Sequence, residues 1–537
     1  SPYHTGSALW PAIQQLEHAA RFAADDPLEV RLDKLEAALG GGAQGEATAL
    51  IAGLVGLDGA ARYGALELAP AVRRARTLDA LVRQLLQLAA SRPVLLLVED
   101  AHWADPTTLE LIEAWLDAIT TARVLLVLTS RPDNQPALAA HPHVTRLSLN
   151  RLGRAGVEAI VARLGGDRLP PATVEAIIAR TDGVPLYVEE LTKAVLETGE
   201  TAIPASLHDS LMARLDRTPE VKEVAQIAAC IGREFDHALL AAVADRSPPE
   251  LAAALDKRAT AELVFRRGMP PEARYTFKHA LVRDAAYESL LRSRRQTLHG
   301  RIAEALRHRF TERAGEQPEV VAHHYTGAGM VDQAVDYWER AGQAARGRPA
   351  YAEAAAHFRN GIRLLGQLGQ DEPERHRELG MFVQLGQALA AGRGFGNDET
   401  VEVFSRARGL VDAIDVTPLR LPVYWGNWAG RFAHAELPRA LALAEDMVAI
   451  ASDSGDEGLL CAASRCLGST QMLMGSFAAA RGNLEQALAR YDSQRDGALA
   501  DRFGIDPGVA ARGVLAIVLW SMGYPDRAER VGAAAVS

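Results

Sequence analysis

Two aliphatic runs, Val94–Val98 and Val124–Leu128, constrain this chain more than any other feature of it. A run of branched residues without polar alternation suits a strand that is covered on both faces. Between them lies ADPTTLELIEAWLDAI, with Asp105 at an N-cap position and Pro106 at the first helical position. Leu109, Ile112, Leu116 and Ile119 are expected to form its buried stripe. Strand, helix and strand joined by connections this short imply a parallel crossover. The first run leads straight into Glu99 and Asp100, and the second into Thr129, Ser130 and Arg131. Both tips therefore fall at the carboxyl edge of one sheet, where open α/β sheets bind ligands. The alternating stretch at 144–149 predicts a shorter strand near an edge.

The rest of the pattern is helical. Leu9, Ile13, Leu16 and Ala20 share one face, Leu28, Leu32, Leu35 and Leu39 the next, and LDALVRQLLQLAA a third before Pro93 breaks it. Residues 150–216 are helical again, interrupted by TDGVPLYVEEL. Helices are expected at about 219–231, 236–244 and 248–259. LVFRR and RYTFK then predict a hairpin around GMPPEA, with Phe265 and Phe277 on its core face. Three helices and a hairpin suggest a winged helix. Beyond residue 300, LGSTQMLMGSFAAARGNLEQALARY has the layout of a tetratricopeptide unit, and GVLAIVLWSMGYPDRAERV repeats it. HHYTGAGMVDQAVDYWERA and WAGRFAHAELPRALALAEDM are weaker copies. Such pairs bury their apolar faces by stacking into a solenoid with a concave groove.

A chain of 537 residues exceeds one core. The pattern divides it at 1–150, 151–216, 217–300 and 301–537. The fold class expected is multidomain and mainly α: a truncated α/β nucleotide-hydrolase core, a helical lid, a winged helix and an α-solenoid. A net charge of −10 argues against nucleic acid as the main partner. Cys230, Cys461 and Cys466 have no zinc or disulfide spacing and read as reduced core residues of a cytoplasmic protein. No apolar run approaches the length of a membrane span. The chain starts at Ser1 without methionine and stops in a helical pattern, so both ends are expected to be cuts.

VEDAHWADPTTLELI, TSRPD, TDGVPLYVEELTKAVLE, IPASLHDSLMARLD, IGREF and YTFKHALVRDAAYESLL, in this order, resemble one family. It is the AAA/STAND-type signalling ATPase region, with a tetratricopeptide tail, that bacteria fuse behind class III adenylate or guanylate cyclase domains. A related region occurs in transcription regulators carrying a LuxR-type helix-turn-helix.

The resemblance implies roles residue by residue. Glu99 and Asp100 match the Walker B acids that serve Mg²⁺, Glu99 holding it through water and Asp100 also orienting or deprotonating the attacking water. Thr129 and Arg131 match a sensor position that reads the γ-phosphate. Gly183 and Pro185 match a GxP motif packing the lid on the adenine side, and His279 a winged-helix histidine that contacts the β-phosphate of ADP. The departure is equally plain: no G-x-x-x-x-G-K-[ST] occurs, and the glycines of Gly40–Gly45 lack a lysine. The phosphate loop is expected upstream of Ser1, and the chain by itself is not expected to hydrolyse ATP. The function implied is an ATP- or ADP-dependent switch with a repeat arm. That arm would take a protein, peptide or small inducer, and the switch would act on an output domain, expected to be an adenylate or guanylate cyclase. The alternatives are the corresponding region of a LuxR-type regulator and a non-enzymatic repeat scaffold.

Overall fold

A computed structural model describes residues 6–535 except 24–25, 41–44, 67, 69, 133–140, 166–168, 199–208, 210–211, 213–218, 261–262, 349, 370, 415–416, 498 and 504. Most of IPASLHDSLMARLD, the end of TSRPD and the first five residues thus lie outside the described residues. The chain divides into two compact units. One comprises residues 1–5, 98–103 and 128–334; the other comprises 6–97, 104–127 and 335–537.

β1 (Val94–Val98) and β2 (Val124–Leu128) pair side by side. They run the same way, since Val94 N donates to Arg123 O at 2.9 Å and Thr129 N to Val98 O at 3.0 Å. The helix between them, Pro106–Ala118, is capped by Asp105 as its sequence predicts. Burial corrects the expectation of two covered faces. Val94, Leu96 and Val98 are half-buried, whereas Leu95 and Leu125 are 67% and 63% exposed and Leu97 and Val127 follow them. The described residues place no layer over that side. The stripe also shifts: Leu111, absent from the expected set, is fully buried beside Ile112 and Leu116.

Before β1, helices Trp10–Ala20, Leu28–Ala38, Glu46–Leu54 and Pro70–Ser91 gather Leu9, Leu32, Leu35, Leu39, Ile51 and Leu81 around Leu111. Leu28 is exposed, because it opens its helix and overhangs this core. The stretch 144–149 is not a strand, with Leu147 and Leu149 almost fully exposed. Alternation alone does not make a strand where no described neighbour offers backbone partners.

Helices Pro219–Ile231, His237–Val243 and Pro248–Thr260 appear where expected, as does the hairpin of β4 (Val264–Arg267) and β5 (Arg274–Phe277). A third strand, β3 (Glu234–Asp236), joins β5 antiparallel and went unpredicted because it is only three residues long. Phe277 is buried against Phe235, but Phe265 is 59% exposed. Val264 pairs opposite Phe277 and takes the inner face, which turns Phe265 outward.

From residue 351 each helix packs on the next: 351–365, 372–393, 398–413, 417–433, 437–454, 457–473 and 477–490. Pro507–Ser521 and Pro525–Ala533 close the series, which has tetratricopeptide-like layout. Phe404 packs so closely on Gly386 and Gly426 that a methyl at either would lie within 3 Å of its ring. The helix-joining residue is left-handed at Gly475 (φ 78°) and Gly523 (φ 85°). At the matching place in the 417–433/437–454 turn stands Ala435, at φ 58°. An L-residue there costs about 1–2 kcal/mol relative to glycine. Ala435→Gly is therefore expected to stabilise by about 1 kcal/mol, after the extra freedom of glycine in the unfolded chain. Urea unfolding followed by circular dichroism checks this, and a lower midpoint for the variant refutes it.

The three cysteines are buried free thiols. Burial pushes Cys230 and Cys461 up to about 12, so they stay protonated and unreactive. No described helix is long and apolar enough to cross a membrane.

Candidate functional site

β1 delivers its acids into a tight turn. Asp100 takes a left-handed backbone, φ 55°, which aspartate tolerates better than most residues. Thr129 holds this turn from the end of β2. Its Oγ1 accepts from Asp100 N at 3.0 Å, its O accepts from Ala101 N at 2.8 Å, and its own N donates to Val98 O. The predicted sensor residue is thus the clamp of the acid turn. Glu99 is exposed beside it, and Arg131 is exposed at the strand tip.

Asp100 has a partner that sequence reasoning did not assign. Arg233 Nη1 donates to Asp100 Oδ2 at 2.9 Å. Arg233 lies between helix Pro219–Ile231 and β3, and its carbonyl accepts from Phe277 N at 2.9 Å. The only signal for it was IGREF, a stretch that gave the residue no role. His102 and Trp103 form a short helical turn after the acids, their rings 5.1 Å apart. Burial pulls the His102 imidazole below its ordinary value, more than the Asp100 carboxylate lifts it; both ring nitrogens are buried without hydrogen-bond partners.

His279 follows β5 and precedes helix Ala280–Glu288. Burial lowers its pKa, with Glu190 and Glu189 opposing and Lys278 and Lys193 assisting. Those charges place it against helix Pro185–Thr198, where Lys193 bonds Glu189 at 2.8 Å. Its Nε2 is buried and unpartnered. Gly183 and Pro185 form the entry to that same helix. Gly183 O accepts from Leu152 N at 2.8 Å, so the GxP turn is bonded to the segment before helix Arg154–Arg163. The structure therefore joins Asp100, Thr129 and Arg233 directly. His279 is linked to them through β5, and Gly183 and Pro185 serve the helix that His279 faces.

Another cluster lies in the same unit. His299 Nδ1 and His324 Nδ1 are 2.8 Å apart, and Tyr287 Oη meets His299 Nε2 at 3.0 Å. Burial takes His299 down to about 4, so this is a neutral packed joint.

The residues present fit a magnesium nucleotide only in part. Glu99 and Asp100 stand together, yet among the described residues no group of three acidic, histidine or cysteine side chains could hold a metal. The sequence also lacks the lysine-bearing loop that would cradle phosphates. No hydrolytic step is assigned to this chain.

No protein-family model matches the sequence. An uncharacterized protein of Rhizobium meliloti (strain 1021), R02095, is 28% identical over 479 residues, which is 84% of this chain and 46% of that protein. The chain thus spans about half the length of the curated relative it matches. Among solved structures it is similar to a Signal Transduction ATPase with Numerous Domains (STAND) protein with a tetratricopeptide repeat sensor from Pyrococcus horikoshii. That similarity has 14% identity and a TM-score of 0.36, over 98% of this chain and 74% of the other. It is also similar to tetratricopeptide-like repeats of a Podosopora anserina kinesin light chain (18%, TM-score 0.30, 37% and 92%) and to apo RapI (11%, TM-score 0.31, 60% and 74%). With TM-scores this low, the description of the fold stands on the chain's own helices.

Proposed function

We propose that this chain is the switch-and-sensor region of a signal-transduction ATPase. The acid edge would read nucleotide state, the 219–288 region would act as a winged-helix latch, and the helical repeats would bind a protein or inducer. The observation that carries the reading is the Arg233–Asp100 pair. An acid that resembles a Walker B residue is held by an arginine just before β3, whose carbonyl is bonded to the end of β5, the strand that leads into His279. A contact of that kind gives two states, one with Asp100 paired and one with it released, and any ligand that favours one of them shifts the balance. ATP or ADP with Mg²⁺ are the proposed effectors of the whole protein, and an adenylate or guanylate cyclase is the proposed output.

A second reading, a repeat scaffold for protein binding, is favoured by exposed Trp520 and Ile517 on helix Pro507–Ser521.

The test compares fluorescent ADP binding by this chain and by the longest protein its gene encodes, each with Arg233 intact and as Arg233→Ala. The pair is half-exposed, so the substitution is expected to cost stability by less than about 1 kcal/mol. In the longest form it is expected to change ADP affinity by at least about five-fold, the lower end of ordinary coupling energies. Absence of ADP binding in every form, or binding indifferent to Arg233, refutes the switch and leaves the scaffold.

A further inference from the structure

A cavity of about 230 Å³ lies between helices Glu46–Leu54 and Pro70–Ser91, with Thr107 and the Gly347–Arg348 turn completing its wall. All of these residues belong to one unit. The lining is apolar along Leu54, Leu57 and Leu78 and cationic at Arg73, Arg74 and Arg348. One acid, Asp58, also lines it, its Oδ1 already accepting from Ala60 N at 3.0 Å. Arg73 Nη2 donates to Leu66 O at 2.9 Å, and Arg74 pairs with Glu110. That leaves Nε of both Arg73 and Arg74 buried without a partner. Thr107 is 3% exposed, and its hydroxyl lies within hydrogen-bonding reach of Glu353. Two unsatisfied guanidinium donors around one greasy hollow are an unusual arrangement, because each costs about 1–3 kcal/mol when left unmade.

We propose that this cavity binds a small amphipathic anion, a carboxylate with a short aliphatic or aromatic tail. The head meets the arginines, and the tail lies on the leucines. The volume corresponds to about eight water molecules and falls below the usual range of drug-sized pockets, which limits the ligand to about ten non-hydrogen atoms. The walls come from helices ahead of β1 and from the turn that opens the repeats. A ligand touching both favours the state in which they stay together. That makes it the inducer of the switch proposed above. The inducer role rests on that reading, whereas binding does not.

The test is calorimetric titration of the whole chain with octanoate, with octylammonium and octanol as charge-reversed and neutral controls. Octanoate is expected to bind at one site, at least about ten-fold more tightly than either control, a difference of about 1.4 kcal/mol. Arg73→Gln is expected to weaken it about ten-fold. Gly53 lines the cavity, and a Cβ built on it meets no atom within 4 Å, so Gly53→Leu fills the hollow without disturbing the backbone. That variant is expected to fold, by circular dichroism, and to lose binding. Equal affinity for octylammonium, or octanoate binding unchanged by Gly53→Leu, overturns the site without touching the nucleotide reading. Octanoate binding that leaves ADP affinity of the longest form unaltered overturns the inducer role and keeps the site.

Discussion

Replacing Gly183 with alanine is expected to cost about 3–4 kcal/mol, through two terms that add. Gly183 has φ +69°, a conformation that charges an L-residue about 1–2 kcal/mol. Its Cβ would also fall 2.2 Å from Leu152 O and 2.9 Å from Leu152 N. Those are backbone atoms, with no flexible end to swing away. The chains cannot simply part, since Leu152 N donates to Gly183 O and that bond would be lost. The bond sets helix Arg154–Arg163 against Pro185–Thr198, which share Val157, Val161, Tyr187, Val188 and Leu191 with Ile177. Hydrogen exchange in those helices is expected to accelerate by at least about a hundred-fold. Gly165→Ala is the control. It is left-handed too, φ +91°, but its Cβ meets nothing within 4 Å, so only the first term applies. Equal effects at the two positions would falsify the clash.

The parts of this architecture legible in sequence are those that local chemistry decides. Asp105, Pro106 and the following stripe announce a helix start, and the structure has that cap. The aliphatic runs announce strands, and the Gly475 and Gly523 turns announce helix pairs. What was not legible depends on a partner remote in the chain. Arg233 reads as a surface arginine until β3 and β5 carry it to Asp100. Phe265 and Val264 are equally apolar, and only the β4–β5 register decides which faces inward. The stretch 144–149 has the right alternation and no described neighbour to pair with. Glu353 reads as one more helix-surface acid, although Thr107, 246 residues away, donates to it.

That last residue sets the second large expectation. Asp105 and Glu353 are each 1% exposed, and burial raises both carboxyl groups above their ordinary values. Their mutual repulsion means the pair holds a proton that separate carboxyls would release. Hydrogen bonds decide where it sits. Asp105 accepts from Leu9 N (3.2 Å), Thr108 N (2.8 Å) and Thr108 Oγ1 (2.5 Å), all of which favour its anion. Glu353 accepts from Thr107 N at 2.9 Å, has the Thr107 hydroxyl within reach, and hydrogen-bonds Asp105, to which only a protonated Glu353 can donate. Glu353 is therefore the neutral acid and Asp105 the carboxylate. Asp105→Ala removes the cap and strands the Leu9 amide and Thr108 hydroxyl, at a cost of about 3 kcal/mol. Leu9 sits at φ 55°, a strained backbone held in part by that bond, so the loss spreads into the 10–20 helix. Glu353→Gln acts in the opposite direction. A group whose folded pKa is raised contributes stability fully present below the unfolded value, near about 4.3, and lost as pH rises through the folded value. The amide is neutral at every pH and escapes that loss. Glu353→Gln is thus expected to match the parent near pH 4 and exceed it increasingly above, by up to about 1.4 kcal/mol per pH unit within the window. His357, one turn along the same helix, titrates in the opposite sense. Burial holds it near about 4 while its Nε2–H donates to Gly6 O, so its contribution fades as pH falls below about 6.5. Taking the difference between Glu353→Gln and the parent at each pH cancels His357 and leaves the carboxyl pair. Urea unfolding of both proteins from pH 4 to 8 measures it, and a difference that stays flat or shrinks with pH would mean Glu353 is ionised in the folded chain.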